Sequence, residues 1–117
     1  MLMYFGWADP ALNPLMGVGY YETVTKTMGP STADFYRLFM VPGMAHCGGG
    51  AGTSTFDALT PLVQWVEHGA TPATIPASRV ADGKVVRTRP LCPYPQTAIY
   101  KGTGSTDDAA NFSCGSR

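Results

Sequence analysis

Neither sign of charge dominates this sequence, and neither is abundant: eight Lys and Arg stand against eight Asp and Glu, 14% of 117 residues. A chain so balanced lacks the basic stripe that holds nucleic acid or acidic lipid, which argues against polyanion binding. No apolar run approaches the roughly 18–20 residues of a membrane span. The opening Met1-Leu2-Met3-Tyr4-Phe5 has neither the basic stretch nor the small-residue cleavage site of a signal peptide, and reads as a strand entered midway. The three cysteines, Cys47, Cys92 and Cys114, form no CxxC pair, so spacing gives a zinc ribbon or a thioredoxin motif no support. If two of them pair, the third has no partner in the chain. No internal repeat is visible. The length suits one domain or a piece of one, and falls well short of the roughly 200 residues or more of a catalytic α/β domain.

What is present is loop-rich yet patterned. The 14 Gly and 10 Pro are spread among periodic segments rather than gathered in low-complexity tracts. Leu2 to Phe5 reads as a buried strand running into Gly6-Trp7-Ala8-Asp9-Pro10. Asn13-Pro14 is a cap followed by a first-turn proline, and Met16, Tyr20, Tyr21, Val24 and Met28 recur at helical spacing until Gly29-Pro30. Phe35 to Val41 is almost wholly apolar apart from Arg37, the pattern of a strand covered on both faces. Strand, helix and strand make a βαβ unit. A glycine-rich loop from Pro42 to Gly50 then carries His46. A second helix is expected between Ser54 or Thr55, as cap, and Gly69, with Phe56, Leu59, Leu62, Val63 and Val66 on one face. From residue 71 onward, Pro72, Pro76, Pro90, Pro93 and Pro95 are expected to break the chain into short β runs such as Lys84 to Thr88 and Thr97 to Tyr100, with Asp82-Gly83 as a hairpin turn. The fold class is therefore α/β, a βαβα segment over residues 1–70 and a β/loop tail over 71–117.

In parallel α/β sheets, ligands bind beyond the carboxyl ends of the strands, where the connecting loops converge. Here two such loops deliver a carboxylate, Asp9, and an imidazole, His46. Their order, acid before base, is that of an α/β-hydrolase triad, in which the carboxylate fixes the tautomer of the base. Each has a plainer reading beside it: Asp9 as a turn or cap residue, His46 as a solvated loop side chain. His68 fits a complement to a helix C-terminus. Ser31, Ser54, Ser78, Ser105, Ser113 and Ser116 all lie outside any Gly-x-Ser-x-Gly elbow, and Ser54 fits helix capping better than a nucleophile. Cys47 could be a small buried hydrophobe or an inert thiol, and Cys92 and Cys114 could be unpaired. His46 with the three cysteines could in principle bind zinc, but adjacent ligands followed by long gaps are poor spacing.

Five stretches carry a resemblance: Gly6-Trp7-Ala8-Asp9-Pro10; Val41-Pro42-Gly43-Met44-Ala45-His46-Cys47; the segment from Phe56-Asp57-Ala58-Leu59 through Trp65-Val66-Glu67; Arg89-Pro90-Leu91-Cys92-Pro93-Tyr94-Pro95; and Ser105-Thr106-Asp107-Asp108-Ala109-Ala110-Asn111-Phe112. In that order they resemble the C-terminal third of the tannase and feruloyl esterase family, which includes mono(hydroxyethyl) terephthalate hydrolase-like enzymes. The resemblance implies the C-terminal portion of an α/β-hydrolase, with Asp9 and His46 as triad acid and base. It implies a disulfide between Cys92 and Cys114, and another from Cys47 to a cysteine outside this chain, beside the nucleophilic serine. The serine, the oxyanion-hole donors and a calcium-holding lid domain would belong to a missing N-terminal portion, leaving no cofactor in this chain. The implied substrate is an aromatic ester, and the implied location extracellular or periplasmic. Two alternatives stand beside this: an inactive truncated module that associates with a partner chain or oligomerises, and a small autonomous hydrolase with an unconventional nucleophile.

Overall fold

The computed structural model describes residues 1–116. Strand β1 (Leu2–Gly6) leads through helix α1 (Pro14–Met28) and a single helical turn α2 (Thr32–Phe35) into strand β2 (Arg37–Val41). The strands pair in parallel, from Leu2 opposite Arg37 to Gly6 opposite Val41. Their carboxyl ends therefore open side by side, and the two loops that follow start at the same sheet edge.

β2 is the spine of the molecule, with Leu38, Phe39 and Val41 fully buried. Alternation sends Phe39 and Val41 to one face, where they pack with Met44, Ile75, Ala77 and Leu91. Leu38 and Met40 go to the other, against Val18, Tyr21 and Tyr36. Each such side chain contributes about 1.5–3 kcal/mol by leaving water. The one charged residue of the strand, Arg37, gives its N–H groups to the carbonyls of Ala33 (3.1 Å) and Pro72 (2.7 Å).

Three expectations need correction here. Phe35 belongs to α2 and is exposed, so the second strand starts at Arg37. β1 is only half-buried, with Tyr4 exposed. And α1, capped as expected by Asn13, whose side chain accepts from Leu15 N–H, turns only Tyr21 and Val24 of the expected set toward the core. Gly17, Val18 and Tyr21 are buried, while Met16, Tyr20 and Met28 point outward. Gly17 decides this: a Cβ there would lie 2.9 Å from the Phe5 ring and 3.1 Å from the Met3 methyl, so the missing side chain is what lets helix and strand approach.

After the His46 loop the chain forms β3 (Thr55–Phe56), α3 (Leu59–His68), β4 (Ile75–Ala81) and β5 (Lys84–Leu91), in an antiparallel sheet of order β3-β4-β5. α3 starts later than expected, and neither Ser54 nor Thr55 caps it. The Asp57 carboxylate accepts from Leu59 and Thr60 N–H at 2.9 and 3.0 Å; the Thr60 side chain, then the Thr60 and Leu59 amides, hold its pKa below the ordinary value against the effect of burial. Phe56 is thereby left in a strand, edge-on to Tyr4. Of the expected inward face, Leu59, Val63 and Val66 are exposed; Trp65 is the residue α3 buries. The strands also run through two prolines expected to interrupt them. Pro76 and Pro90 lie directly opposite one another. Antiparallel partners alternate between pairs that exchange N–H···O bonds and pairs that exchange none, and two facing prolines fit the second kind. Asp82 and Gly83, both at positive φ (49° and 73°), make the β4–β5 turn.

The tail closes with β6 (Thr97–Tyr100) and β7 (Phe112–Gly115), an antiparallel pair. A disulfide between Cys92 and Cys114, Cα atoms 5.5 Å apart, fastens β7 to the end of β5. Closing this 22-residue separation restricts the unfolded chain by about 3 kcal/mol. Reduction, or Cys114→Ser, is therefore expected to lower the unfolding free energy by that amount, read from urea titrations with and without dithiothreitol. Among the described residues, no helix is long and apolar enough to cross a membrane.

Candidate active site

Asp9 lies three residues beyond β1 and His46 five beyond β2. Backbone bonds lock the two loops together: Trp7 N–H donates to Val41 C=O and Ala8 N–H to Met44 C=O, both at 3.0 Å. The His46 loop is also tied to itself, by Ala45 N–H to Gly49 C=O (3.3 Å) and Gly52 N–H to Gly43 C=O (3.0 Å). Met44, buried in the core, anchors it from beneath.

Gly6 makes this union possible. A Cβ on Gly6 would overlap the Met44 carbonyl oxygen and lie 2.8 Å from that of Ala45. Only a residue without a side chain lets the end of β1 slide under the His46 loop. Sequence reasoning quoted Gly6 merely as the start of a turn; a glycine at the carboxyl end of a buried parallel strand is the signal that could have marked it.

Within this frame Asp9 Oδ2 and His46 Nδ1 are 2.8 Å apart. The carboxylate is itself oriented: Oδ1 accepts from Ala11 N–H at 2.8 Å and Leu12 N–H at 2.9 Å. Its side chain is 4% exposed, that of His46 48%. Burial by itself would raise the carboxyl pKa, but the Leu12 amide, His46 and the Ala11 amide outweigh it and hold Asp9 below its ordinary value. Asp9 is thus an ionised acceptor. Its bond to Nδ1 requires the proton on that nitrogen, which leaves the Nε2 lone pair of a neutral imidazole free toward the exposed side. This is an imidazole whose tautomer is set by a shielded carboxylate.

A shallow cleft of about 110 Å³ opens over the pair, lined by Tyr4, Leu12, Met44, Cys47 and the two residues themselves. No serine lines it, and no described serine hydroxyl is hydrogen-bonded to His46; Ser78 bonds Thr55 C=O and Ser105 accepts from Asp107 N–H. Cys47, next to His46, is exposed, unpaired among the described residues and at φ 59°. That conformation costs a non-glycine residue on the order of 1–3 kcal/mol. Cys92 and Cys114 spend their sulfurs on each other, which removes them from any zinc set with His46. Among the described residues, no group of three or more His, Cys, Asp or Glu is placed to hold a metal ion.

The family model described as tannase and feruloyl esterase matches residues 1–115. The chain is 51% identical over 117 residues to the mono(2-hydroxyethyl) terephthalate hydrolase of Piscinibacter sakaiensis, covering 97% of this chain and 19% of that protein. It is 40% identical over 146 residues to an uncharacterized esterase of Xanthomonas campestris, covering 97% and 25% respectively. Among solved structures, feruloyl esterase B from Aspergillus oryzae superposes with a TM-score of 0.86 at 33% identity, over 97% of this chain and 26% of that one. The chain thus spans about a fifth to a quarter of the length of these relatives.

Proposed function

Because this chain belongs to the tannase and feruloyl esterase family, we propose that it supplies the acid and base of a Ser-His-Asp triad in a carboxylic-ester hydrolase acting on aromatic esters. The observation that carries the reading is the 2.8 Å bond from His46 Nδ1 to an Asp9 carboxylate already fixed by two backbone amides.

His46 Nε2 takes the hydroxyl proton of a serine supplied by the upstream portion of the protein as that oxygen attacks the ester carbonyl. Asp9 stabilises the imidazolium so formed without itself being protonated. The C–O bond of the ester breaks as Nε2 returns the proton to the departing alcohol. Water then attacks the acyl-serine by the same route, releasing the acid and restoring the enzyme. The oxyanion donors, and a lid domain with a calcium ion, are assigned to the same upstream portion. Cys47 is assigned a disulfide to a cysteine beside that serine. Its exposure, its place next to His46 and its position in the cleft lining support this reading. Such disulfides imply an oxidising location, extracellular or periplasmic.

Incubating the purified 117-residue chain with a fluorophosphonate and a chromogenic aromatic ester tests the division of labour. The expected result is no labelled serine and no turnover. A labelled serine together with turnover abolished by His46→Ala would place the nucleophile within these residues and overturn the reading.

A second reading, association with a partner chain or with itself, is favoured by a specific observation. β1 has one strand neighbour, and Leu15, Met16, Tyr20, Leu59 and Val66 are exposed. Sedimentation velocity separates the two: a monomer at all concentrations contradicts self-association.

A further inference from the structure

A cavity of about 420 Å³ lies apart from Asp9 and His46, neither of which lines it. It opens between the base of the His46 loop and the tail, among Pro42, Thr53, Arg87, Arg89, Thr97 and Ala98. Arg87 and Arg89 are two residues apart in β5, so they share a sheet face, the one that carries Leu91 into the core. Arg79 stands directly opposite Arg87 in the antiparallel register and points the same way. Three guanidinium groups on one face of a chain with no net charge is a local excess. Like charges facing each other across strands are destabilising.

The excess is answered by one carboxylate, Asp107, whose Oδ1 lies 2.6 Å from Arg87 Nε. Arg89 is held rigidly: its Nη1 donates to the Thr88 and Thr106 carbonyls, and its guanidinium carbon sits 3.8 Å above the centre of the Phe112 ring. Both Nη groups of Arg87, and Nε and Nη2 of Arg89, have no protein acceptor among the described residues. Partial burial and the neighbouring Arg87 charge, only partly offset by Asp107, depress the Arg89 pKa, consistent with a positive charge short of counter-charge. The remaining wall, Pro42 and Ala98 with the two threonines, is largely apolar.

We propose that this cavity binds a small aromatic carboxylate, its carboxylate on the free N–H groups of Arg87 and Arg89 and its ring against Pro42 and Ala98. A simple inorganic anion would leave the apolar wall wet, and a neutral ring would leave the free N–H groups of Arg87 and Arg89 without an acceptor. An aromatic acid meets both demands, with charge-assisted bonds at one end and apolar contact at the other.

The test is an amide NMR titration of the 117-residue chain with benzoate, acetate and benzyl alcohol. Benzoate should shift the Thr53, Arg87, Arg89 and Ala98 resonances saturably, with an affinity that falls as salt rises. Arg87→Gln should weaken it about tenfold, one charge-assisted contact being worth about 1.4 kcal/mol. Ala98→Leu, which fills the apolar wall and leaves the guanidiniums in place, should weaken it too. Asp107→Asn, by removing the competing carboxylate, should tighten it, a change that a purely structural role for these residues would not produce. No saturable shift with benzoate, or a weaker site in Asp107→Asn, overturns the proposal. Benzyl alcohol binding as well as benzoate overturns the carboxylate assignment, and acetate binding as well overturns the aromatic one.

Discussion

Asp9→Asn, made in a protein that carries this chain together with its nucleophile, is expected to lower kcat about ten-thousandfold while KM changes little. The substitution is nearly isosteric, and an asparagine oxygen can still accept from Ala11 and Leu12 N–H. What it then presents to His46 is an NH₂ group, a donor where the ring needs an acceptor. Nδ1 must give up its proton to receive that bond, the proton moves to Nε2, and the lone pair that would activate the serine is gone. The imidazolium formed during attack also loses its counter-charge. A stopped assay on a feruloyl or terephthalate monoester, with a thermal melt to show that the fold persists, measures the effect. Combining Asp9→Asn with His46→Ala should cost little more than His46→Ala alone, since the two residues act as one unit. Full additivity would contradict the assignment.

The same carboxylate makes a prediction about acid. Because Asp9 has its folded-state pKa below the ordinary 3.8, its ionised form binds the native state preferentially. The stability it contributes is fully present above pH 3.8 and is lost as the pH falls toward the folded-state value. The gap in urea midpoint between wild type and Asp9→Asn should therefore be open at neutral pH and close as the pH drops below 3.8. A gap that widens on acidification would mean that Asp9 is not held ionised by Leu12, His46 and Ala11.

That Asp9 and His46 come together was legible in the sequence because both follow parallel strands, and parallel strands place their carboxyl ends together whatever covers them. The Asn13 cap and the Asp82-Gly83 turn were legible for a similar reason: each is a local device that works through its own backbone. The misreadings share a cause as well. Apolar periodicity located α1 and its inward Tyr21 and Val24 but grouped Met16, Tyr20 and Met28 with them, whereas the close contact is set by Gly17, which a count of hydrophobic residues passes over. α3 was started too early because Ser54 and Thr55 are good capping residues in isolation; Asp57, three residues on, wins by accepting from two amides. Pro76 and Pro90 looked like interruptions because a proline alone deletes a ladder bond, and nothing local to either announces that the other will face it. The two amides that orient Asp9 are implicit in Asp9-Pro10-Ala11-Leu12, through the reach of an aspartate side chain to the backbone two and three residues ahead of it.

Gly6→Ala is expected to cost about 1–3 kcal/mol of stability, by overpacking, and, in a protein that carries this chain together with its nucleophile, about a hundredfold in kcat. The added methyl meets carbonyl oxygens of Met44 and Ala45 rather than the end of a flexible side chain, so no rotamer change relieves it. Either β1 withdraws or the His46 loop lifts, and both moves stretch the Trp7–Val41 and Ala8–Met44 bonds that hold the loops in register. His46 rides on the segment that must move, two residues from Met44, so the displacement reaches Nδ1 and Nε2 directly. A shift near 1 Å is enough for a hundredfold loss when base and nucleophile must meet within hydrogen-bond reach. Gly19→Ala is the control: nothing lies within 4 Å of a Cβ there, and an alanine in a helix interior is worth about 1 kcal/mol over glycine, so that variant should be slightly stabilised and fully active. In the 117-residue chain the readout is the downfield Nδ1–H proton of His46, expected in wild type and Gly19→Ala and lost or shifted upfield in Gly6→Ala. If that proton stays in place in a folded Gly6→Ala chain, the Asp9–His46 distance is set elsewhere and the role assigned to Gly6 is wrong.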